Sequence, residues 1–218
     1  AQLIRAVRIV GVITVPSAVA FLLFGPLITE VLFFGINRTD AVYIGYVLSA
    51  LSVGLVAFSI NLVLIRGFNA FEDTKTQVTS ILIINIVAVA LSYLFLATLP
   101  NRWVTVGLGA AFSFSYIIGL FITLALIKKH TGRIPLGEFA AQHLRLLAAS
   151  LIAMLPLFAI SQYLGWVGAD STTTVRAVEL ALVILLGTSG FFLASKALGI
   201  AEVTGITEVI KRRNKPAE

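Results

Sequence analysis

The sequence predicts an all-α integral membrane chain with about six transmembrane helices, and three observations predict it. Of its 218 residues, 59% are hydrophobic and only 12% are charged, about half the charged share of an ordinary soluble domain. The mean hydropathy is +1.02. The apolar residues gather into blocks of roughly 20 to 25, and about 20 are what a helix needs to cross the hydrocarbon core.

The first block gives a helix over Ile9 to Phe34, with Pro16 and Pro26 inside it. Membrane helices tolerate proline, because neighbouring groups re-satisfy the freed carbonyl. The second runs from Ala41 to Ile65 and holds no charge. The third covers Val78 to Leu99 and the fourth Trp103 to Ile127. The fifth covers Leu146 to Leu164 around Pro156, and the sixth Val175 to Leu198. The connections are Gly35–Asp40, Arg66–Thr76, Pro100–Arg102, Lys128–Arg145 and Gly165–Thr174.

The basic residues divide unevenly between the two sides these connections define. Arg5, Arg8, Arg66, Lys75, Lys128, Lys129, Arg133, Arg145, Lys196 and four in the tail share one side. Only Arg38, Arg102 and Arg176 share the other. The positive-inside rule assigns the richer side, with both ends of the chain, to the cytoplasm. Membrane topology therefore explains the net charge of +6, and no nucleic-acid partner is expected. The sequence begins at Ala1 with no signal-peptide pattern, so a piece of a longer chain is expected.

Two stretches have the pattern of interfacial helices lying along the inner leaflet, with a solvated helix end as the alternative. In Pro135–His143, Leu136, Phe139 and Ala140 share a side, with Glu138 and Gln142 away from it. In Ile200–Ile210, Ile200, Val203, Ile206 and Ile210 recur at helical spacing before the basic tail. That tail is a candidate contact for a cytoplasmic domain or partner.

Several classes of function are excluded or unsupported. With no cysteine there is no disulfide framework, thiolate metal site or cysteine nucleophile. Two histidines do not make a metal cage. No catalytic constellation or phosphate-cradling glycine loop is visible, so neither an enzyme, a metal nor a cofactor is expected. No charge falls at a helix centre, where it usually marks function; Glu30 and Glu179 lie near the outer ends. The deepest amide is Asn85 in the third helix, and it has two readings: an interhelical hydrogen bond, or the lining of a substrate path. The fourth helix carries Gly107, Ala111, Ser115, Gly119 and Thr123 at i+4 spacing, a face suited to tight packing or to sliding. Gly187 and Gly190 offer the sixth helix a similar face.

The connection Arg66-Gly-Phe-Asn-Ala-Phe-Glu-Asp-Thr-Lys-Thr-Gln-Val78 is more specific. With Gly54-Leu55 and Val63-Leu64 before it, it resembles the lipid II flippase family MurJ (also called MviN), within the multidrug/oligosaccharidyl-lipid/polysaccharide exporter superfamily. That family carries R-x-F-Y-A-x-x-D-T-K-T-P at this point. Pro16-Ser17-Ala18-Val19, Gly25-Pro26 and Leu32-Phe33 to Gly35 resemble its preceding helix. Asn69 stands where the family often has Tyr, and Gln77 where it often has Pro; the Asp73-Thr74-Lys75-Thr76 core is kept. The specific likeness covers roughly residues 8 to 80, and the later helices match by pattern and length.

The resemblance implies the C-terminal part of a fourteen-helix, two-lobe flippase fold. Residues 1–130 then hold four helices completing the second lobe. Residues 131–199 hold the interfacial segment and two additional helices, and 200–218 a cytoplasmic amphipathic basic tail. It implies translocation of a lipid-linked peptidoglycan precursor across the bacterial cytoplasmic membrane, in cell-wall synthesis and cell-shape maintenance. Its partners would be that precursor, membrane lipids and the N-terminal helices of the same protein. The head-group arginines of the family would lie in those helices, leaving this segment without a buried charge. The substrate-path candidates here are Arg66, Asp73, Lys75 and Asn85. Arg66 either clasps Asp73 or Glu72, or meets an anionic substrate at the cavity mouth. Two other functions remain in view: an exporter of another polyprenyl-linked saccharide or a drug-like cation, and a membrane scaffold.

Overall fold

The computed structural model describes residues 2–132, 136–163, 172–200 and 203. Six long helices carry the fold: α1 (Gln2–Leu32), α2 (Arg38–Ala70), α3 (Thr74–Thr98), α4 (Val104–Thr131), α5 (Leu136–Tyr163) and α6 (Thr173–Ala197). A single 3₁₀ turn, Asn101–Trp103, leads into α4. Each α-helix is long and apolar enough to cross a membrane. Strongly apolar side chains stay on the outside: Leu82, Ile86, Tyr93, Ile184, Leu185 and Leu193 are all more than half exposed. In water such surfaces would be an aggregation hazard; in a bilayer they meet lipid or further helices. The chain is a multi-pass membrane protein.

All six expected helices are present, and most extend beyond their apolar blocks. The largest extension is in α5, which begins ten residues early at Leu136. The segment expected to lie along the membrane is therefore the first turns of a continuous helix. Its faces also differ from the expectation: Gln142 is buried and Ala140 exposed. The cause is α1. His143 lies over Gly11, where an added Cβ would fall 2.7 Å from its Nε2, and Arg8 meets Glu138 at 3.1 Å. Packing on α1 sets the rotation of this turn.

The expected amphipathic run after α6 is also placed differently where it is described. Ile200 and Val203 are buried with Val12, Val15, Leu146, Ala149 and Phe191, between α1, α5 and α6. Gly199, at φ +65, turns the chain inward, and its N–H donates to Lys196 O while Ile200 N–H donates to Ser195 O. That is a glycine-ended helix terminus. Ile206, Ile210 and the basic tail lie outside the described residues.

Helix α1 is the centre of the arrangement, packing on α2, α5 and α6. Val7, Ile60, Leu64, Phe68 and Ile127 join α1, α2 and α4 at one end. Val19, Phe24, Leu27 and Met154 join α1 to α5 further along. Helix α4 lies between α2 and α3, and α3 is the edge. Two devices allow close approach. First, α1 kinks at Phe24 (φ −112°, ψ 15°), two residues before Pro26, whose ring cannot share space with the preceding turn's carbonyl. The kinked segment presses on Gly45 of α2, where an added Cβ would fall 2.5 Å from Pro26 N. Thr29 Oγ1 then donates across to Ala41 O at 2.7 Å. Second, the small-residue face of α4 meets α3. Gly119 lies on Ile84 and Gly107 on Phe95 and Leu99, while Ser80 and Thr123 share a hydrogen bond of 2.7 Å. The packing reading of that face is the one the structure has. Gly190 likewise receives Ala153 of α5.

Candidate functional site

Hairpin geometry brings the two kinds of connection to opposite ends of the bundle. The N-termini of α1, α3 and α5 share one end with the C-termini of α2, α4 and α6. Every described residue of the larger basic set lies at that end.

There the expected Arg66–Thr76 loop is a tight turn. Helix α2 continues through Arg66 to Ala70. Only Phe71, Glu72 and Asp73 separate it from α3. Glu72 has φ +57, and Asp73 N–H donates to Phe68 O. Asp73 then opens α3: its carboxylate accepts from Thr76 N–H at 3.0 Å, which satisfies one of the free donors of a helix start. The spacing Asp-Thr-Lys-Thr thus has a local cause. Phe68, fully buried, is the anchor of the turn.

The four candidate residues are not gathered into one pocket. Asp73 is a helix cap. Arg66 and Lys75 are exposed at the same end. Arg66 pairs with neither Asp73 nor Glu72 among the described residues, so the expected clasp is not formed. Asn85 lies on the exposed side of α3, with its amide donating to Ile81 O of its own helix at 2.9 Å. The interhelical amide is Asn61 instead. It is fully buried and donates to Tyr116 O of α4 at 3.1 Å.

The opposite end holds charges that the sequence reading had not expected to be buried. Glu30 of α1 receives Arg38 Nε of α2 at 3.2 Å, and its other oxygen meets Arg176 of α6. The side chains of Glu30 and Arg176 are 3% and 6% exposed. One turn along α6, Glu179 is buried and accepts from Ser161 Oγ of α5. Burial of Glu30 and Arg176 is tolerated because they pair, whereas Glu179 has the Ser161 hydroxyl on one oxygen and leaves the other without a hydrogen bond. The expectation of no buried charge in this segment is thereby corrected, although these residues do sit near helix ends. A groove of about 1050 Å³ opens beside the cluster between α1, α2 and α5. Phe24, Leu27 and Phe158 line it together with Glu30, Arg38, Tyr43 and Ser161. Among the described residues, no group of three or more His, Cys, Asp or Glu is placed to hold a metal.

Comparison with known proteins bears out the resemblance stated from the sequence. The family model described as lipid II flippase MurJ matches residues 1–206. A Rhizobium tropici protein named as a probable lipid II flippase MurJ is 26% identical over 215 residues, covering 98% of this chain. The chain spans 40% of that relative's length. From residue 1 to residue 206, through all six helices and the Asp73-capped turn, the chain belongs to the lipid II flippase MurJ family.

Proposed function

We propose that this chain is part of a flippase that carries a lipid-linked peptidoglycan precursor, lipid II, across the bacterial cytoplasmic membrane. It is a transporter segment, with no catalytic role. The observation that carries the reading is the family match running through every helix. In this reading α1–α4 (within residues 1–130) complete the second lobe of a fourteen-helix fold. The segment 131–199 adds the pair α5 and α6, and 200–218 is a cytoplasmic tail. The basic-rich end faces the cytoplasm, which the charge asymmetry supports.

The physical problem is a pyrophosphate with a sugar–peptide head that cannot enter hydrocarbon, because unpartnered polar groups cost too much there. A two-lobe protein gives the head a hydrated cavity and leaves the polyprenyl tail in lipid. Rocking of the lobes opens the cavity to each side in turn. Arg66 and Lys75 supply hydrated positive charge at the cytoplasmic mouth, with Asp73 holding the turn between them. Asn85 lies further along α3 on a face that no other described helix covers, and it lines the path.

Lipid II flipping by the full-length protein tests this. Arg66→Glu is expected to abolish flipping while the protein remains folded and inserted, and Asp73→Arg is expected not to restore it. Wild-type flipping with Arg66→Ala would remove Arg66 from the path. Failure of the full-length protein to support growth of cells depleted of their lipid II flippase would defeat the whole reading.

A further inference from the structure

We propose that Phe58 of α2, with Phe112 and Tyr116 of α4, forms a shelf halfway across the membrane on which a saccharide ring of the lipid-linked substrate stacks during its passage. The inference deepens the flippase reading and rests on it.

The first argument is the shelf itself. Ring centroids lie 4.9 Å apart for Phe58 and Tyr116, 4.7 Å for Phe112 and Tyr116, and 5.9 Å for Phe58 and Phe112. Each ring thus touches the other two. Phe58 and Tyr116 meet edge to face, at 83°, which leaves open ring face that a parallel stack would hide. None of the three is buried, and Phe112 is 37% exposed.

The second argument is the Tyr116 hydroxyl. It has no hydrogen-bond partner among the described residues, and it is not one of the polar atoms sealed from the surface. A ligand can therefore reach it. The apolar span of α4 runs from Asn101 to Lys128. Tyr116 lies 15 residues from one end and 12 from the other, about 22 and 18 Å along a helix. That is the middle of a hydrocarbon core about 30 Å thick. Tyrosine favours the membrane surface, where its hydroxyl meets water, and a hydroxyl facing hydrocarbon without a partner is costly. Two phenylalanines alone would suit lipid. The hydroxyl between them suits a ligand that is apolar on one face and hydroxylated at its edge, which describes a sugar ring. The C–H face of a sugar carries slight positive charge, and the face of an aromatic ring is negative.

The third argument is alignment. Phe58, Leu62 and Arg66 follow one another at i+4, so they lie on one side of α2. Leu62 is 43% exposed and Arg66 is exposed, so no described helix covers that side. Arg66 lies eight residues from Phe58, about 12 Å. The face thus offers a guanidinium at the mouth and aromatic rings further in. A saccharide joined directly to a pyrophosphate presents an anion and a sugar in that order. Ring stacking with one hydrogen bond holds a sugar without trapping it, as a transported ligand requires.

The test is competition binding to the full-length protein in detergent, read by native mass spectrometry. One ligand is polyprenyl pyrophosphate carrying a disaccharide without the peptide; the other is bare polyprenyl pyrophosphate. Wild type is expected to retain the glycosylated lipid about tenfold more strongly, the combined effect of stacking and one hydrogen bond. Phe58→Leu combined with Tyr116→Leu is expected to erase that preference and still retain the bare lipid. Tyr116→Phe, which keeps the ring and its packing, is expected to reduce the preference about threefold. Phe114→Leu, on the opposite face of α4 and 47% exposed, is expected to keep it. An undiminished preference in both shelf variants would overturn the proposal, as would equal retention of the two lipids by wild type. Wild type that retains neither lipid would instead defeat the flippase reading. A photoreactive benzoylphenylalanine in place of Leu62 identifies what faces the shelf. An adduct with the glycosylated lipid is expected; an adduct with another helix of the protein alone would overturn the assignment to substrate.

Discussion

Replacing Gly45 with alanine is expected to damage the α1–α2 contact far more than one methyl group would suggest. The added Cβ would lie 2.5 Å from Pro26 N and 2.7 Å from Thr29 Oγ1. Ordinary contacts begin near 3.4 Å, so the shortfall against Pro26 is about 0.9 Å. Pro26 is backbone at a kink already fixed by its ring, and it cannot rotate aside as a side chain would. Helix α1 must move, and the Thr29–Ala41 hydrogen bond of 2.7 Å must lengthen with it. Overpacking costs about 1–3 kcal/mol, and a rigid obstacle places this site at the upper end. Thr29 Oγ1 keeps Gly25 O and Pro26 O as alternative acceptors at 3.0 Å, so the stretched hydrogen bond adds little. Against this, alanine gains about 1 kcal/mol over glycine in helix propensity. The net loss is then about 2 kcal/mol. Gly187 is the matched control: its added Cβ would meet Leu157 and Met154 at 3.7–3.9 Å, so Gly187→Ala is expected to be neutral or stabilising. Thermal unfolding of both full-length variants in one detergent reads the difference. Equal midpoints for the two would refute the steric argument.

Other expectations follow from the same structure. Cysteines at Gly35 and Asn69 are expected to differ in labelling by an impermeant reagent on intact cells; labelling of position 69 from outside would reverse the proposed orientation. Arg176→Met leaves Glu30 with one guanidinium in a buried setting and is expected to cost about 3 kcal/mol, with Glu30→Gln recovering part of it in the double variant. A single Arg176→Met that unfolds like wild type would show that Arg38 alone suffices. Asn61→Leu is expected to cost about 1–2 kcal/mol through its bond to Tyr116 O, whereas Asn85→Leu is expected to leave stability unchanged. Reduced stability of the Asn85 variant in a detergent unfolding series would place that amide in a helix contact.

The helices were legible because membrane spans need little beyond apolar length, and each block was long enough. Their ends were less so. Helix α2 runs past Arg66 and α5 starts at Leu136, since charged residues are free to stay helical once they clear the hydrocarbon. The α4 face was legible because glycine and serine at i+4 leave room for only one kind of neighbour. The rotation of α5 was not, because the Gly11–His143 contact decides it across more than 130 residues of sequence. Asn85 and Asn61 illustrate the same limit: both are mid-helix amides, and only the partner helix distinguishes a buried one from an exposed one. The charged cluster left a partial trace. Glu30 and Arg38 flank the first turn, and Arg176 and Glu179 are three apart on one helix face. Depth along the sequence placed them near the surface, but the return of α6 to α1 buried them.

Helix α1 is fastened to the α5–α6 pair at both ends, by Arg8–Glu138 at one and by Glu30–Arg176 at the other. Between these two contacts the seam is filled by the buried clusters around Val12, Leu146 and Phe191 and around Val19, Leu27 and Met154. A tilt of α1 is therefore carried to α5 and α6 along most of its length by packing, and the three helices move together as one arm.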